Sequence, residues 1–306
     1  MAPRARKRNY HQKEGLKLLL IALPFIALVI AFSYVPLFGW SFAFLDYKIG
    51  KSILDMNFVG LKHFNKLFVE WRTISRVLRN TFAMSFLSLA TSPLPVIFAV
   101  MLNEIRTKRL KSIAQTVTTL PNFISWIVVY GIVFSLFSNS GGATKLLTDL
   151  GVNMGPASIL GNNNAVWLFQ LFLQIWKGLG WGAIIYLAAI SGIDEAMYEA
   201  AQIDGANKLQ MIWYVTIPGV IPTYFVLLML SIGNLLSNGF DQFFVFYNSM
   251  VSDRMEVLDY YVYKLGIVSG DYPYSIAVGM LKSLVSISLL FVANQISKRV
   301  RGEGLI

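Results

Sequence analysis

The segment from Tyr198 to Pro222 has residue types and spacings that suit contact with another protein. Its sequence, YEAAQIDGANKLQMIWYVTIPGVIP, places carboxylates and small residues at helical spacing between two long apolar runs. Glu199 could form a charge-assisted hydrogen bond with an Arg or Lys of a soluble partner, and Ala200 and Ala201 leave room for its surface. The alternative is a solvated loop whose acidic residues only add solubility. The residue types alone favour neither interpretation.

Helical signals extend along the whole 193–218 segment. Asp194 and Glu195 lie at the expected N-terminus of a helix. Negative charge there interacts favourably with the helix dipole. Gly205 is expected to end or bend this helix, and a second short helix is expected over 208–214. Pro218 is expected to begin the next apolar helix, because a missing N–H costs little in the first turn. We therefore predict ordered helix over 195–214.

Composition indicates a membrane protein without a sizeable soluble domain. Hydrophobic residues make up 56% of the 306 residues and charged residues only 14%, whereas soluble domains carry about 25% charged residues. The net charge of +10 fits membrane-flanking basic residues rather than nucleic-acid binding. There is no cysteine, and His11 and His63 lie outside the apolar runs. These observations exclude disulfides, a thiol nucleophile and an HExxH metalloprotease, and no catalytic or metal-binding residue is predicted.

Six segments are apolar over the roughly 20 residues that a membrane-spanning helix needs. Residues 1–17 form a basic arm, and 18–306 form the transmembrane domain with an uncleaved first span. The expected spans are 18–40, 80–103, 119–138, 165–192, 218–240 and 275–297. An even number of spans places both termini on one side. The short loop 104–118 carries four basic residues against Glu104, which predicts that both termini are cytoplasmic.

The first outer loop and the fourth span each contain an irregular feature. Apolar residues recur at helical spacing over 59–78, which predicts an amphipathic helix on the outer membrane surface or against a neighbouring subunit. Lys177 interrupts the fourth span. Because a charge inside the bilayer is costly, a helix break near Gly178, leaving 165–177 at the interface, is favoured over a Lys177 that lines a cavity. The acidic residues expected to be solvated outer-loop residues are Asp253, Glu256, Asp259 and Asp271.

The sequence lacks an internal energy source for transport. No GxxxxGK[ST] motif is present, so the chain does not bind ATP in the usual way. No carboxylate lies deep in a predicted span, which argues against an ion-coupled carrier. The sequence therefore indicates either a transporter that obtains its energy from a partner protein or a passive channel.

The spacing around Glu199 resembles the EAA loop of ABC importer inner-membrane permeases. That family pattern is EAA-x3-G-x9-I-x-L-P, and this chain departs from it only at Val215 and Ile217. The run from Asp204 to Ala206 is similar to the DGA form of the sugar branch. Stretches over most of the chain resemble the polysaccharide- and oligosaccharide-type permeases of Gram-positive bacteria, including YVPLFGWSFAFLDY (34–47) and IWKGLGWGAIIYLAAISGID (175–194).

The resemblance implies an all-α membrane protein of the MetI-like type I ABC importer fold, with six transmembrane helices, cytoplasmic termini, a cytoplasmic coupling helix and an outer amphipathic helix. It implies a bacterial cell-membrane subunit that imports a sugar, namely an oligosaccharide or polysaccharide fragment, by alternating access. The implied partners are a second homologous permease, two ABC ATPase subunits and an extracellular lipid-anchored solute-binding protein. ATP and Mg²⁺ would be bound by the ATPases, with no cofactor in this chain. The implied ATPase contacts are Glu199, Ala200, Ala201, Asp204, Gly205, Ala206 and Pro218.

Spans three and five line the substrate cavity in that family. The residues there that suit a sugar are Trp126, Tyr130, Asn234, Asn238 and Gln242. Each could instead serve aromatic packing or interhelical hydrogen bonding, and in some relatives only one permease of the pair holds the sugar. An ion-coupled secondary carrier and a channel or scaffold without an ATPase are the alternative functions.

Overall fold

The computed structural model describes residues 4–48, 50, 52, 56–151 and 158–301, with backbone only for 4–14, 16, 300 and 301. Part of the basic arm and the last five residues of the C-terminal tail thus lie outside the described residues. Within these ranges the protein is helical, and the only β-type contact is an isolated bridge between Leu45 and Phe58. The predicted all-α class with six membrane helices is confirmed.

The described helices follow one another along the chain with short connections. They are α1 Arg4–Val29, α2 Lys62–Val69, α3 Trp71–Ala90, α4 Leu94–Glu104, α5 Lys108–Thr119, α6 Trp126–Phe137, α7 Gly142–Asp149, α8 Ser158–Gly161, α9 Val166–Ser191, α10 Glu195–Ile203, α11 Lys208–Met211, α12 Ile217–Gly233, α13 Phe240–Phe246, α14 Ser252–Met255, α15 Leu258–Tyr263 and α16 Tyr272–Arg301. Short 3₁₀- or π-helical segments continue several of these helices at Ile30–Tyr34, Val35–Phe44, Leu120–Phe123, Ile212–Thr216 and Lys264–Val268. The stretches long and apolar enough to span a bilayer are Lys17–Phe44, Trp71–Glu104, Trp126–Asp149, Val166–Ser191, Lys208–Gly233 and Tyr272–Arg299.

The chain divides into two compact units. The first comprises Met1–Val69 with Leu265–Met280, and inside it Lys66 forms an ion pair with Asp271 at 2.6 Å. The second comprises Glu70–Lys264 with Leu281–Ile306. Its apolar core has two parts, one that includes Met84, Phe169 and Phe243, and one that includes Ala99, Ala183 and Val220.

Helix α9 is the central element of the second unit, in contact with α3, α4, α5 and α12. A Cβ atom added at Gly180 would lie 2.3 Å from the carbonyl oxygen of Thr118, so only glycine lets α5 approach this closely. The helix runs unbroken for 26 residues through Gly178. The predicted break there is wrong, and 165–177 is not a separate interfacial piece.

Backbone carbonyls explain how Lys177 fits inside a continuous spanning helix. Its Nζ donates hydrogen bonds to the carbonyl oxygens of Pro121 at 3.2 Å and Asn122 at 2.6 Å. These contacts reduce the cost of placing an ammonium inside a span. They come from a turn more than fifty residues earlier, which the local sequence around Gly178 does not reveal.

The predicted amphipathic segment 59–78 divides at Glu70. Its first part is the short helix α2, and its second part already belongs to α3, which begins earlier than the expected span start at 80. Ile74 and Val77 are buried inside the protein, where α3 contacts α14 and α15. The apolar stripe in this second part thus serves protein packing rather than a membrane surface.

Glu256 and Asp259 are not the solvated loop residues that the sequence suggested, whereas Asp253 remains half-exposed. Glu256 is 1% exposed and pairs with Arg76 at 2.6 Å and Lys264 at 2.8 Å. Asp259 pairs with Lys282. The hydrogen bond that Lys264 donates to the Glu256 carboxylate raises the pKa of Lys264 above its ordinary value. Arg76 and Lys282, which belong to other helices, help to neutralise these carboxylates, and the local sequence does not reveal these pairs.

Candidate functional site: a coupling segment and a polar cavity

The segment 194–218, here called the coupling segment, begins with a capped helix. Asp194 is the N-cap of α10, and its Oδ1 accepts a hydrogen bond from the Ala196 backbone N–H at 3.0 Å. Asp204 closes the helix, and Gly205 follows at φ +78°. This left-handed conformation is easily adopted by glycine and ends many helices. The chain therefore turns sharply where the sequence predicted an end or a bend.

A second capped helix leads into the next span. Asn207 and Gln210 form a reciprocal capping box, with hydrogen bonds of 2.9 and 2.7 Å at the start of α11. A π-helical turn, Ile212–Thr216, joins α11 to α12 without a break.

Pro218 occupies the first turn of α12, but the helical path of this span begins earlier, at Lys208. The expectation that the span starts at Pro218 is corrected. A proline ring crowds the carbonyl of the residue four positions earlier, and the wider π turn just before it relieves such crowding.

Three further contacts order the coupling segment, two of them within it and one with α4. The Tyr198 hydroxyl hydrogen-bonds the buried Thr216 hydroxyl at 3.0 Å. Lys208 forms an ion pair with Glu104 at 3.2 Å. The Ala206 N–H donates to the carbonyl of Ala201 at 2.9 Å. The segment is ordered by its own caps and by contacts with α4 and the π turn.

The side chains of the coupling segment divide between an inner and an outer face. Ala201 and Ala206 are half-buried, whereas Glu199, Ala200, Asp204 and Gly205 are exposed. Glu199 forms no ion pair or hydrogen bond with any residue that the structure describes. Because Asp194 is the N-cap, Glu199 does not cap the helix, and its carboxylate remains available.

The exposed face also carries apolar side chains that the sequence interpretation missed. Ile203 is 87% exposed, Leu209 66% and Met197 52%. Ile203 follows Glu199 by four residues, so the two lie on one helix face. That spacing was visible in the sequence and could have identified Ile203.

Asn234 and Asn238 line a cavity of about 550 Å³ among α3, α4, α9 and α12. Polar groups from several elements contribute to its wall: Ser85, Ser88, Ser92, Gln174 and Ser231. A second cavity of about 280 Å³ is lined by Trp126, Asn238 and Gln242, together with Lys177 and Asp241. The two cavities share Gln174, Gly178 and Asn238.

Four of the five predicted sugar-contact residues thus lie at the cavity walls. Tyr130 lines neither cavity, and its ring packs edge-on against Phe246 at 5.1 Å. The sequence interpretation missed Gln174 and Ser85 as wall residues and did not favour Lys177. The apolar spans around them gave no signal for Gln174 or Ser85, whereas the charge of Lys177 did.

The amide side chains at the cavity walls differ in whether all of their hydrogen-bonding groups have a partner. Gln242 is buried, and its Nε2 donates to the carbonyl and the side-chain oxygen of Gln170 at 3.0 and 2.6 Å. The Nδ2 of Asn238 donates to the Ser85 hydroxyl at 2.8 Å. Its buried Oδ1 has no partner in the part of the chain that is described. Gln242 therefore joins α13 to α9, while Asn238 retains a free acceptor.

Metal ligands do not gather at either site. Among the described residues, no three His, Asp or Glu side chains come together in a way that could hold a metal ion.

Comparison with known proteins relates this geometry to transport systems. The polygalacturonan/rhamnogalacturonan transport system permease protein YteP of Bacillus subtilis (strain 168) is 38% identical over 94% of this chain and 89% of its own length. Protein LplB of the same organism is 37% identical over 94% of this chain and 90% of its own length.

A solved structure shows the same fold. One chain in the crystal structure of a bacterial alginate ABC transporter, in complex with an alginate pentasaccharide-bound periplasmic protein, superposes with a TM-score of 0.86. It is 32% identical, and the match covers 96% of this chain and 98% of that one. With its six apolar helices and bacterial permease relatives, this chain is a multi-pass protein of the cytoplasmic membrane.

The family described as the binding-protein-dependent transport system inner membrane component matches residues 91–302. This match covers the coupling segment, both cavities and five of the six spanning stretches wholly or in part. The chain therefore belongs to the family of inner-membrane components of binding-protein-dependent transport systems.

Proposed function

We propose that this chain is a permease subunit of an ATP-driven importer for an oligosaccharide, and that an ATPase docks on its coupling segment. The observation that carries the proposal is the state of Glu199. Its carboxylate is exposed beside apolar Ile203, on a helix that the chain itself holds in place. An ordered helix with an unused charge and exposed apolar side chains suits a partner surface better than water alone.

The coupling segment must be an ordered helix because it has to transmit a displacement from the ATPase to the spanning helices. Moving a two-state equilibrium from 1:99 to 99:1 requires about 5.5 kcal/mol of differential interaction. A helix fixed by caps at both ends and by the Tyr198–Thr216 contact can pass on such a displacement, whereas a disordered loop would absorb it. Glu199, Ala200, Asp204 and Gly205 contribute the exposed contact surface.

Three further residues of the predicted contact set, the half-buried Ala201 and Ala206 and the exposed Pro218, support that surface. Ala201 and Ala206 close the turn through their backbone hydrogen bond, and Pro218 lies where α12 begins. We propose that these three residues keep the docked helix in fixed register with the span.

We propose the following assembly for this chain, which its family membership supports. Two ATPase subunits on the cytoplasmic side bind ATP and Mg²⁺, a second homologous permease completes the membrane domain, and a lipid-anchored solute-binding protein delivers the sugar outside. The basic residues of the 104–118 loop support cytoplasmic termini. This chain itself is then a non-catalytic subunit.

The cavities supply the sugar path. The Trp126 ring offers an aromatic face, and Asn234 and Asn238 offer amide groups. Gln242 positions α13 through its bonds to Gln170. The relatives named for polygalacturonan, rhamnogalacturonan and alginate support an oligosaccharide as the cargo, moved by alternating access.

Co-purification tests this function. The chain, extracted from native membranes in mild detergent, is expected to retain two ATPase subunits and a second permease, and the reconstituted complex is expected to take up sugar only with ATP.

An ion-coupled carrier is the second candidate, because Asp259 pairs with Lys282, which lies inside a spanning stretch. Sugar uptake by the chain alone in liposomes, driven by an ion gradient, would support that candidate and refute the first.

A further inference from the structure

Lys177 is a cation without a carboxylate partner in the middle of a spanning helix. It occupies the middle third of α9, and no Asp or Glu of the described residues lies within ion-pair distance of it. Other lysines of this chain, such as Lys264 with Glu256 and Lys282 with Asp259, have a carboxylate partner, which shows that the chain elsewhere supplies counter-charges. A charge inside a span that lacks such a partner marks a functional site by default.

The surroundings of Lys177 leave part of its ammonium group available. An ammonium has three N–H donors, and two contact the carbonyls of Pro121 and Asn122. Those two bonds hold Nζ in position at 5.5 Å from the centre of the Trp126 ring. Lys177 and Trp126 both line the 280 Å³ cavity, so an oriented cation and an aromatic face adjoin the same space.

The same cavity offers acceptors for hydroxyl groups. The Oδ1 of Asn238 is a buried acceptor without a described partner, and Asp241 contributes an exposed carboxylate in the first turn of α13. Asp241 forms no ion pair with Lys177 or with any other described residue. A ligand that bears one anionic group and several hydroxyls, on a ring with an apolar face, would satisfy these groups together.

We propose that this cavity selects a carboxylate-bearing sugar, a uronic acid unit, and that Lys177 is the residue that recognises its carboxylate. The carboxylate accepts a charge-assisted hydrogen bond from Nζ, the sugar ring stacks on Trp126, and ring hydroxyls donate to Asn238 and Asp241. This inference rests on the proposed function, since it names the substrate class of the same transport path.

The test compares an acidic probe with its neutral counterpart. The purified permease–ATPase complex, without the solute-binding protein, is titrated with α-1,4-linked trigalacturonate and with the galactotriose obtained by reducing its carboxyl groups. A hydrogen bond to a charged group contributes about 1.5–3 kcal/mol, which corresponds to roughly 10- to 100-fold in Kd. The wild-type complex is expected to bind trigalacturonate about tenfold or more tightly than galactotriose.

Variants at two positions separate recognition from structure. Lys177→Met should weaken the binding of trigalacturonate much more than that of galactotriose and so remove the preference for the acidic probe, and Lys177→Arg should retain part of that preference. Asp241→Asn keeps a side-chain oxygen that can accept from a sugar hydroxyl and removes a negative charge from the cavity, so it should increase the preference for trigalacturonate over galactotriose. If Lys177→Met fails to fold, this opposite shift at Asp241 still tests the proposal.

Three results would overturn the inference: equal binding of the two probes by the wild-type complex, equal loss of both in Lys177→Met, or no increase in the preference for trigalacturonate in Asp241→Asn. A complex that takes up only neutral oligosaccharides refutes the inference but leaves the proposed function intact. A chain that assembles with no ATPase and takes up no oligosaccharide refutes both.

Discussion

Glu199 and Glu256 show two different uses of a carboxylate in one chain. Glu256 is 1% exposed and bound by Arg76 and Lys264, so the chain neutralises it with its own cations. Glu199 is exposed on α10 with no partner in the described part of the chain. The first carboxylate holds the fold together, and the second remains available to another protein.

The two regions also differ in how they become ordered. The coupling segment is ordered mainly by local contacts, such as the caps at Asp194 and Asn207. The region around Glu256 is ordered by α3, whose residues lie about 180 positions earlier in the chain. Changes near Glu256 should therefore affect folding, whereas changes at the surface of α10 should affect coupling.

Glu256→Ala should have the largest effect of these variants, a loss of protein stability. Removing one partner of a buried ionic cluster costs about 3–5 kcal/mol. We expect about 2–3 kcal/mol here because the side chains of Arg76 and Lys264 remain 36% and 41% exposed. Thermal unfolding in detergent measures the change. Asp253→Ala is the matched control, since its pair with Arg79 is half-exposed on both sides and should contribute at most about 1 kcal/mol. Equal losses for both variants would refute the distinction.

Glu199→Lys should have the opposite profile. We expect ATP-dependent uptake to fall about tenfold or more, which corresponds to about 1.4 kcal/mol of lost coupling, with the unfolding temperature unchanged. The reason is that Glu199 contacts nothing in this chain that the structure describes, while a lysine would repel a cation of the ATPase. Glu199→Gln should give an intermediate loss. Normal uptake by the charge-reversed variant would show that the carboxylate has no role in docking.

Substitutions at Gly205 separate backbone strain from charge. Gly205 has φ +78°, where a side chain such as that of alanine costs about 1 kcal/mol, and asparagine is tolerated better. Gly205→Asn should therefore retain most coupling. Its nearly isosteric counterpart Gly205→Asp should uncouple ATP hydrolysis from uptake by adding charge to the docking face. Equal behaviour of the two variants would mean that charge at this turn does not matter.

Tyr198→Phe should have the smallest effect. It removes the hydrogen bond to Thr216, which contributes about 0.5–1.5 kcal/mol, and should loosen α10 without changing its exposed face. We expect faster amide hydrogen exchange in 195–203. We also expect uptake to fall about twofold or less, which corresponds to a loss of about 0.5 kcal/mol of stabilisation from the hydrogen bond. Unchanged exchange would show that the caps alone order the helix.

The accuracy of the sequence interpretation follows the distance between interacting residues. The two-helix form of the coupling segment could be predicted because its caps, its glycine and its exposed carboxylate are neighbours in the chain. The unbroken α9 could not, because the carbonyls that hold Lys177 belong to Pro121 and Asn122. The solvated state expected for Glu256 was wrong for the same reason.

The cavity lies between these cases. Among the five aromatic and amide residues singled out in the sequence, Trp126, Asn234, Asn238 and Gln242 line a cavity and Tyr130 does not. Their different roles depend on partners in other helices, such as Gln170 for Gln242 and Ser85 for Asn238. Composition can identify such residues, but only packing shows which of them keep a free hydrogen-bonding group.

Photo-crosslinking from α10 tests the docking of an ATPase most directly. The chain contains no cysteine, so Ala200→Cys introduces a single thiol at an exposed position, which can carry a maleimide–benzophenone probe. In the assembled, transport-active complex, we predict a crosslink to the ATPase subunit from Ala200→Cys and none from the exposed control Ser249→Cys. An active complex in which Ala200→Cys gives no ATPase crosslink, or in which both positions crosslink equally, would contradict the account.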